Sequence, residues 1–526
     1  MRLFRNAWLQ LKDFCALGGN ATYFWPRWIV LRAVGLVYII IFAGIIDQGR
    51  ALVGPRGIAP IAEFCGALRR IFPNAIERTL RAPSLFWFSS SPSAIAALEW
   101  GGLAAAAAVF LNLWPRMALF ACWLFFLSFV STWGIFTSSI DDQLMLETAL
   151  LCIAFAPAGL RPGLGKASPP RPIAVFAMRW LLFRVMFESG LIKLTGADTH
   201  WRDLTAMKVM YETSPLPTIF GYLDHQLPQA YHLFEIALTF AAEIAAPLLA
   251  LFAGRRGRWL ALGIWVAFQA GIELTTSFGW LNTASIALGL LLLDDQMLAG
   301  AADRLRLRRL ANCLRPAAAN SSGRAVTPWR LYGLRALLGA HFCLTLYFFG
   351  TVFAGKSLID IPHAGTRPVE FLFRDFDSAN AYIPYASFPP HKFEVEFEGS
   401  NDGGKTWRTY DFRFKPQRVD RICPFVAPWF DRFEATLQLA VNIPGSTVIP
   451  RVAAQLILGN PDVIRLFKGN PFPGGTPTAV RMPVYQFAFT DYQTHRTTGQ
   501  YWTKTYEGDF MPAVYMNNRG HIVEGK

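Results

Sequence analysis

The fold of this chain is decided by residues 179–217, RWLLFRVMFESGLIKLTGADTHWRDLTAMKVMYETSPLP. The first half is apolar enough to lie in a bilayer, yet it carries Arg179, Arg184, Glu188 and Lys193. Each such residue in the middle of a membrane helix costs about 2.5–3.5 kcal/mol on insertion scales, so charges there are candidates for functional sites. The second half is a polar segment with aromatic residues that ends at a Pro-x-Pro sequence.

Helical phase divides the four charges. At about 100° per residue, Arg184 and Glu188 lie one turn apart, and we expect them to pair and to face a helical bundle. Arg179 and Lys193 lie near the two ends on the opposite side, where long side chains can reach the membrane interfaces. The Arg184–Glu188 pair is either a structural lock or a substrate clamp, because removal of one partner would leave a buried charge unpaired.

The composition is that of a polytopic membrane protein. The 526 residues are 53% hydrophobic and 16% charged, with a net charge of +14. The Arg clusters lie between apolar segments, which favours orientation in a membrane over nucleic-acid binding. We therefore expect membrane lipids among the partners and no nucleic acid. With about 20 residues per crossing, we predict nine spans, at residues 28–46, 94–113, 117–136, 143–160, 173–194, 231–252, 259–276, 279–295 and 331–353.

The loops predict the topology. Loops rich in Lys and Arg fall on the side of the N-terminal lead, residues 1–27, whereas SSIDD and TTSFGW on the other side carry neither. The positive-inside rule then places the N-terminus in the cytoplasm and the C-terminus outside. Residues 47–93 are assigned outside but contain six Arg residues, which we interpret as an interfacial amphipathic helix.

The pattern changes after the multi-span domain, residues 28–354. In residues 368–422, the segments VEFLFRDF, KFEVEFEG and WRTYDFRFKP alternate as half-buried strands do. The turn SNDGGKTW, residues 400–407, matches the Asp-box hairpin pattern S-x-D-x-G-x-x-W. Residues 430–468 look helical, and strand patterns return in VRMPVYQFAFTD and QYWTKTYEGDF. Residues 355–526 are thus predicted to form an extracytoplasmic β-sandwich-like domain with a helical insert.

Several polar residues outside the central segment are also candidates. Four acids map with Glu188 to the outer half of the membrane, either around one water-filled cavity or each hydrogen-bonded between helices; they are Asp142, Glu147, Glu235 and Glu273. His225, His232 and Glu235 would be the groups for a metal or for acid–base work, but their spacing matches no recognised metal motif, and we expect no metal or cofactor. The seven Cys residues include no C-x-x-C pair, and only Cys65 and Cys423 are expected outside, which leaves a disulfide between them open.

Ordered motifs along the chain resemble the lipase maturation factor family, in a bacterial-type member. The central signature is LLFRVMFESGLIKL followed by WRDLTAMKVMYETSPLP. Earlier and later matches are Gln48 with GPRGIAP, residues 54–60, then DQLMLET from Asp142, WLN from Trp280, and LDD from Leu293. The C-terminal matches are FEGSNDGGKTW, PFVAP, NPFP and GQYW. Residues 429–435, WFDRFEA, depart from the family pattern, since they keep an Arg and an acid but lack its Trp.

The resemblance implies a site and a function. In the central segment the candidate residues are Arg184, Glu188, Lys193, Trp201, Arg202, Tyr211, Glu212, Thr213, Pro215 and Pro217. On the C-terminal domain they are the expected surface residues Arg432, Asn470, Pro471, Phe472, Gln500 and Trp502. Family members are multi-pass membrane proteins, and the animal ones act in the endoplasmic reticulum, where they help dimeric secreted lipases fold. For this chain we expect a bacterial inner membrane, a periplasmic C-terminal domain and an exported, lipase-like client.

A second class of function stays open. An integral membrane enzyme with the layout of the vitamin K-dependent carboxylases would act on a lipid-soluble substrate, using Lys193 and the outer acids. A transporter is disfavoured because no inverted repeat is evident. Of the two classes, we favour the maturation factor over the enzyme.

Overall fold

The helical part of the protein precedes residue 355. A computed structural model describes residues 2–17, 21–137, 139–277, 279–315, 328–355, 374–517 and 522–524. Its helices up to residue 355 are α1 (Arg2–Phe14), α2 (Phe24–Val53), α3 (Ile61–Ile71), α4 (Ala75–Arg81), α5 (Pro92–Phe110), α6 (Pro115–Trp133), α7 (Ser139–Phe155), α8 (Pro172–Thr195), α9 (Ala206–Thr213), α10 (Ile219–His225), α11 (Gln229–Phe240), α12 (Ala246–Phe252), α13 (Gly254–Thr276), α14 (Leu281–Gly289), α15 (Asp295–Arg304), α16 (Arg308–Leu314) and α17 (Pro328–Phe353). Pro at the first helical position helps begin α5, α6 and α8, because its missing N–H is not needed there.

Six helical segments in the described residues are long and apolar enough to cross a membrane. They are α2, α5, α6 with its 3₁₀ extension, α11 joined to α12, α13, and α17. The pair Leu281–Leu292 and Asp295–Arg304, bent by 93°, adds a seventh if it counts as one broken span. The chain is therefore a mostly helical multi-pass membrane protein.

Helix α8 lies in the interior of the bundle. It packs against α7 and α17 and against the segment between α11 and α12. Its four charged side chains are buried, each at most 1% exposed. Because charges cannot face hydrocarbon without partners, this helix is possible only where other elements surround it.

The bundle has two distinct ends. One, the docked face, contacts the C-terminal region: Gln48 Nε2 donates to Asp431 Oδ2 at 2.6 Å, and Ser277 Oγ accepts from the Val426 amide at 2.7 Å. At the opposite end, the far face, the amide of Phe24 donates to Asp295 Oδ2 at 3.0 Å. Helix α2 thus runs the whole distance between the two faces.

The C-terminal region holds two antiparallel sheets and short helices. The strands are β1 (Lys392–Val395), β2 (Glu398–Ser400), β3 (Arg408–Thr409), β4 (Ala479–Arg481), β5 (Pro483–Phe489), β6 (Trp502–Asp509), β7 (Val514–Met516) and β8 (Ile522–Glu524). One sheet has the order β1-β5-β6 and the other β3-β2-β4-β7-β8. The helices are α18 (Arg432–Ala440), α19 (Val448–Ile457), α20 (Pro461–Ile464) and α21 (Tyr492–Thr498). Of the expected strand VEFLFRDF, residues 369–373 lie outside the described residues.

The polar sides of these strands depart from the sequence prediction. Half-buried strands should expose their polar residues, but Lys392, Glu394 and Glu396 are at most 2% exposed. Ion pairs replace water: Glu394 Oε1 lies 3.2 Å from Lys392 Nζ, and Glu394 Oε2 lies 2.8 Å from Lys415 Nζ. Both faces of β1 are therefore interior.

The turn at residues 400–407 connects β2 and β3. Asp402 Oδ1 accepts from the amides of Lys405 and Thr406 at 3.0 and 2.9 Å. Gly403 and Gly404 have φ of +74° and +89°, which favours glycine. Hydrogen bonds from the Thr406 hydroxyl and amide hold the pKa of Asp402 below its ordinary value. This aspartate acts as a turn cap.

Candidate functional site

An extended segment, residues 379–386, enters the helical bundle between α7, α8 and α17; we call it the strap. Ala379, Asn380, Ala381 and Tyr382 are at most 7% exposed, and the segment forms no helix or strand. Buried backbone amides and carbonyls outside regular structure need other partners. In the strap these partners are the charged side chains of α7 and α8.

Glu147 on α7 is the centre of the first set of contacts. Its Oε2 accepts from the Asn380 amide at 3.0 Å and from the Tyr382 hydroxyl at 2.8 Å. Its Oε1 pairs with Arg184 and lies 3.0 Å from His341 Nε2 on α17. Arg184 Nη1 also donates to the carbonyl of Asn380 at 2.5 Å. One residue of the strap is thus held through both its amide and its carbonyl.

The predicted Arg184–Glu188 pair is wrong in its partner. Both residues are fully buried, but the ion pair of Arg184 is with Glu147. Glu188 instead accepts the amide of Tyr382 on Oε2 at 2.7 Å. Helical phase identifies only neighbours on the same helix, whereas the partners come from other elements: Glu147 on α7 for Arg184, and the Tyr382 amide of the strap for Glu188.

Lys193 forms the second set of contacts. Its Nζ lies 2.9 Å from Glu243 Oε2 and donates to the carbonyl of Pro384 at 3.1 Å and to Ser189 Oγ at 2.8 Å. Ser189 Oγ in turn donates to Glu243 Oε1 at 2.7 Å. Glu243 lies in a π-helical turn, Ala241–Ala245, a distortion that is common at functional sites.

The prediction that the side chains of Arg179 and Lys193 reach the membrane interfaces is also wrong. Arg179 is fully buried at the far face, where it donates to the carbonyls of Leu291 and Phe14 at 2.8 and 2.9 Å. Lys193 is 1% exposed. Both side chains donate hydrogen bonds to oxygens of neighbouring elements, which compensate the two charges, so neither needs to reach water.

The predicted outer acids do not gather around one cavity. Glu147 binds the strap, Asp142 pairs with Arg432, Glu235 accepts from Tyr211, and Glu273 accepts from Thr283 Oγ1 at 2.6 Å. This is the alternative of individual hydrogen bonds. A separate, mostly apolar cavity of about 20 Å³, room for about one water molecule, lies beside Ser189, Glu243 and Tyr385. None of the four acids lines it.

The metal and cysteine candidates have other surroundings. His232 Nδ1 lies 3.0 Å from Glu235 Oε2, while the ring of His225 packs at a tilt of 59° against the ring of Phe489. Within the described residues, no three His, Cys, Asp or Glu side chains are arranged to hold a metal ion. Cys65 and Cys423 are buried free thiols, and burial raises the pKa of each.

The segment after α8 contacts the C-terminal region directly. Trp201 Nε1 donates to the carbonyl of Tyr385 at 2.9 Å, and Glu212 Oε2 accepts from the Phe489 amide at 3.0 Å. The carbonyl of Ser214 accepts from Lys392 Nζ at 2.6 Å. Two more candidates also meet the C-terminal region: the carbonyl of Thr213 accepts from Gln438 at 3.3 Å, and Pro215 lines a small cleft with Trp429. Arg202 donates to the carbonyl of Gly196 at 2.9 Å, Tyr211 donates to Glu235, and Pro217 is buried.

Arg432 ties the C-terminal region to the docked face. It donates to both oxygens of Asp142 at 2.9 and 2.6 Å and to the carbonyl of Phe136 at 3.1 Å. Its guanidinium stacks over Trp133 with 4.3 Å to the ring centroid. Fixed bidentate geometry with aromatic stacking is a strong use of arginine at an interface.

The predicted C-terminal surface is therefore only partly a surface. Arg432, Phe472 and Trp502 are 4%, 4% and 0% exposed, which corrects their assignment as surface residues. Asn470 and Gln500 are exposed and Pro471 is half-buried. Phe472 packs against Tyr410 and Trp502 lies in a hydrophobic cluster, while Arg432 lies in the contact with the bundle.

Sequence reasoning missed His341, Asn380, Tyr382 and Glu243. The first three carry no local signal, because they meet Glu147 and Glu188 only through tertiary structure. Glu243 did carry one: Pro247 lies four residues later and has no N–H for the Glu243 carbonyl. That pattern predicts a distorted helical turn at an acidic residue.

Comparisons with known proteins cover nearly the whole chain. Residues 25–300 match the lipase maturation factor transmembrane domain family, and residues 378–512 match the lipase maturation factor C-terminal domain family. Lipase maturation factor 1 of Bos taurus is 25% identical over 519 residues, covering 94% of this chain and 89% of that protein. Lipase maturation factor 2 of Homo sapiens is 25% identical over 602 residues, covering 94% and 83%. No solved structure matches. Since the transmembrane family alone accounts for more than half of the residues, the chain belongs to the lipase maturation factor family.

Proposed function

We propose that this protein is a membrane-bound maturation factor that assists the folding or assembly of exported, lipase-like proteins. The observation that carries the proposal is the match of both family domains along the chain, in a structure where the signature charges join those two domains. The names of the relatives, lipase maturation factors 1 and 2, supply the client class.

The use of the charged residues favours this function over an enzyme. A catalytic base needs a free lone pair and room for a substrate. Lys193 Nζ instead donates to Ser189, Glu243 and Pro384, all within 3.1 Å. The neighbouring cavity of about 20 Å³ takes about one water molecule. The charges are engaged in holding the strap, which supports a structural lock.

We also propose nine membrane crossings. Helices α7 and α8 and the apolar part of the bent pair, Leu281–Leu292, add three crossings to the six apolar segments. Helix α7 has only 17 residues, and α8 carries four buried charges. Both can still cross a membrane, because both have polar partners inside the bundle. The division at residues 1–27, 28–354 and 355–526, with a sandwich-like last domain, is supported by the two family matches and the two sheets.

The same proposal includes a sidedness. An odd number of crossings puts the N-terminus and the C-terminal domain on opposite sides. The arginines of the far face favour the cytoplasm for that face, and the docked face would then look toward the periplasm of a bacterial inner membrane. The short helices α3 and α4 would lie at the outer interface.

The function is tested by deleting the gene in its host organism. The measured quantity is hydrolysis of a short-chain triglyceride by the secreted fraction, divided by the amount of lipase protein. A maturation factor predicts a loss of this specific activity, because misfolded lipase is still made. Full specific activity in the deletion strain would overturn the proposal.

Complementation separates a factor from an enzyme. Glu188→Gln keeps an acceptor for the Tyr382 amide and is expected to restore the secreted activity. Arg432→Met removes a contact between the domains and is expected to fail. An enzyme that uses the signature carboxylate would show the reverse, with Glu188→Gln folded but inactive.

A further inference from the structure

An open cavity of about 690 Å³ lies at the far face, away from the C-terminal domain. It is formed between the amphipathic helix α1 and the turn that joins α12 to α13. Its lining includes Leu9, Lys12, Leu17, Arg255 and Arg256. None of these residues takes part in the strap contacts or in the domain interface.

The charge of the cavity is positive. Lys12 and Arg256 are exposed, and Arg256 forms no ion pair with the residues that the structure describes. The one acid in the lining, Asp13, is paired with Arg258 at 2.5 Å. Arg255 forms an ion pair with Asp294, in which Arg255 Nε lies 3.3 Å from Asp294 Oδ2. The cavity therefore offers two cations to a ligand and no uncompensated carboxylate.

The rim of the cavity carries apolar side chains. Leu9 and Leu17 of the lining are 52% and 66% exposed, and Phe252, which precedes the lining residue Ala253, is 48% exposed. On helix α1, the ammonium of Lys12 lies over the ring of Trp8, 5.2 Å from the ring centroid. A basic amphipathic helix placed at the ends of two membrane-spanning helices lies in the interface plane of the bilayer.

We propose that this cavity binds an anionic phospholipid. The phosphate and the acidic headgroup would lie against Lys12 and Arg256, and the acyl chains would follow Leu9, Leu17 and Phe252 into the bilayer. Basic pockets between transmembrane helices on the cytoplasmic side suit such headgroups. A soluble phosphate could use the cations, but it would leave the apolar rim without a partner.

The test uses the full chain purified in a nonionic detergent. Binding of phosphatidylglycerol and phosphatidylcholine with the same fluorescent acyl chain is titrated at fixed ionic strength. We expect phosphatidylglycerol to bind more tightly. Each basic residue near a lipid surface contributes about 1 kcal/mol, so Lys12→Gln with Arg256→Gln should weaken phosphatidylglycerol binding roughly thirty-fold and leave phosphatidylcholine unchanged.

The matched control is Arg309→Gln. Arg309 is exposed on α16 and does not line the cavity, so this variant should bind phosphatidylglycerol as the wild type does. Thermal unfolding of all variants in the same detergent verifies the fold. Equal binding of both lipids, an equal loss in the control, or complete displacement by inorganic phosphate at matched ionic strength would each overturn the proposal.

Discussion

Lys193 shows how neighbouring oxygens compensate a charge that is buried on the central helix α8. Its ammonium has three protons, and the surrounding oxygens of Ser189, Glu243 and Pro384 accept all of them. Burial of an ammonium without partners would either favour its neutral form or destabilise the folded chain. The compensation comes from three different elements, so the charge is stable only when those elements are assembled.

A double-mutant cycle tests this compensation. Lys193→Met should lower the free energy of unfolding by about 3–5 kcal/mol, because it leaves Glu243 as an unpaired buried carboxylate. Lys193→Met combined with Glu243→Leu should cost less than the single change, since no charge remains uncompensated. The free energies come from unfolding in mixed micelles with increasing SDS. Additive effects of the two substitutions would show that the residues do not act as a pair.

The carboxyls of Asp431 and Glu434 predict a pH dependence. Burial raises the pKa of Asp431 to about 6, and burial together with the Asp431 charge raises the pKa of Glu434 to about 8. Unfolded values are near 4, so the folded domain holds protons that the unfolded chain releases. Stability should therefore fall as the pH rises from about 4 to about 8 and level off above that. Thermal unfolding across this range measures it, and Asp431→Asn should flatten the curve; a melting temperature that rises with pH would contradict the assignment.

At the scale of elements, close packing of α8 on the π-helical turn positions Glu243. A Cβ at Gly190 would come within 2.7 Å of Ile244 Cγ1 and 2.8 Å of Glu243 Cβ. Gly190→Ala should therefore destabilise the protein by about 1–3 kcal/mol through overpacking. Gly263→Ala on α13 is the matched control, because nothing lies within 4 Å of its Cβ position. Equal melting temperatures for the two variants would exclude this close contact.

Local pattern accounts for much of the element scale, but not for the contacts between elements. Apolar length predicts the six long apolar helical segments, and strand alternation predicts the strands within KFEVEFEG and VRMPVYQFAF. The partners of α8 cannot be predicted from local pattern. Arg184 contacts Glu147 and Asn380, which lie 37 and 196 positions away from it in the sequence. The strap also binds through its backbone, which leaves no side-chain pattern to read. The alternating pattern also fails to predict the burial of Lys392 and Glu394, because it does not show the ion pairs that replace solvent around them.

At the scale of the whole molecule, buried and exposed contacts hold the C-terminal domain against the bundle. We expect the buried contacts to contribute more to stability than the exposed ones. Arg432→Met breaks the buried contact with Asp142 and should cost about 3–5 kcal/mol. Arg451→Met removes an ion pair with Glu63 whose side chains are 38% and 55% exposed, and should cost less than about 1 kcal/mol. Limited proteolysis should release the domain far faster from the Arg432 variant. Similar release rates would mean that the buried contact does not dominate docking.

The central claim is that carboxylates of the helical bundle hold the strap, and through it the C-terminal domain. Hydrogen–deuterium exchange at residues 379–386 tests it most directly, in the wild type, in Glu188→Leu and in Glu188→Gln. Glu188→Leu removes the acceptor of the Tyr382 amide, and a buried donor left without an acceptor costs about 1–3 kcal/mol, so exchange there should be about five- to hundred-fold faster. Glu188→Gln should exchange like the wild type, and the hairpin at residues 400–407 should be unchanged in both variants. Wild-type protection of the strap in Glu188→Leu would contradict the account.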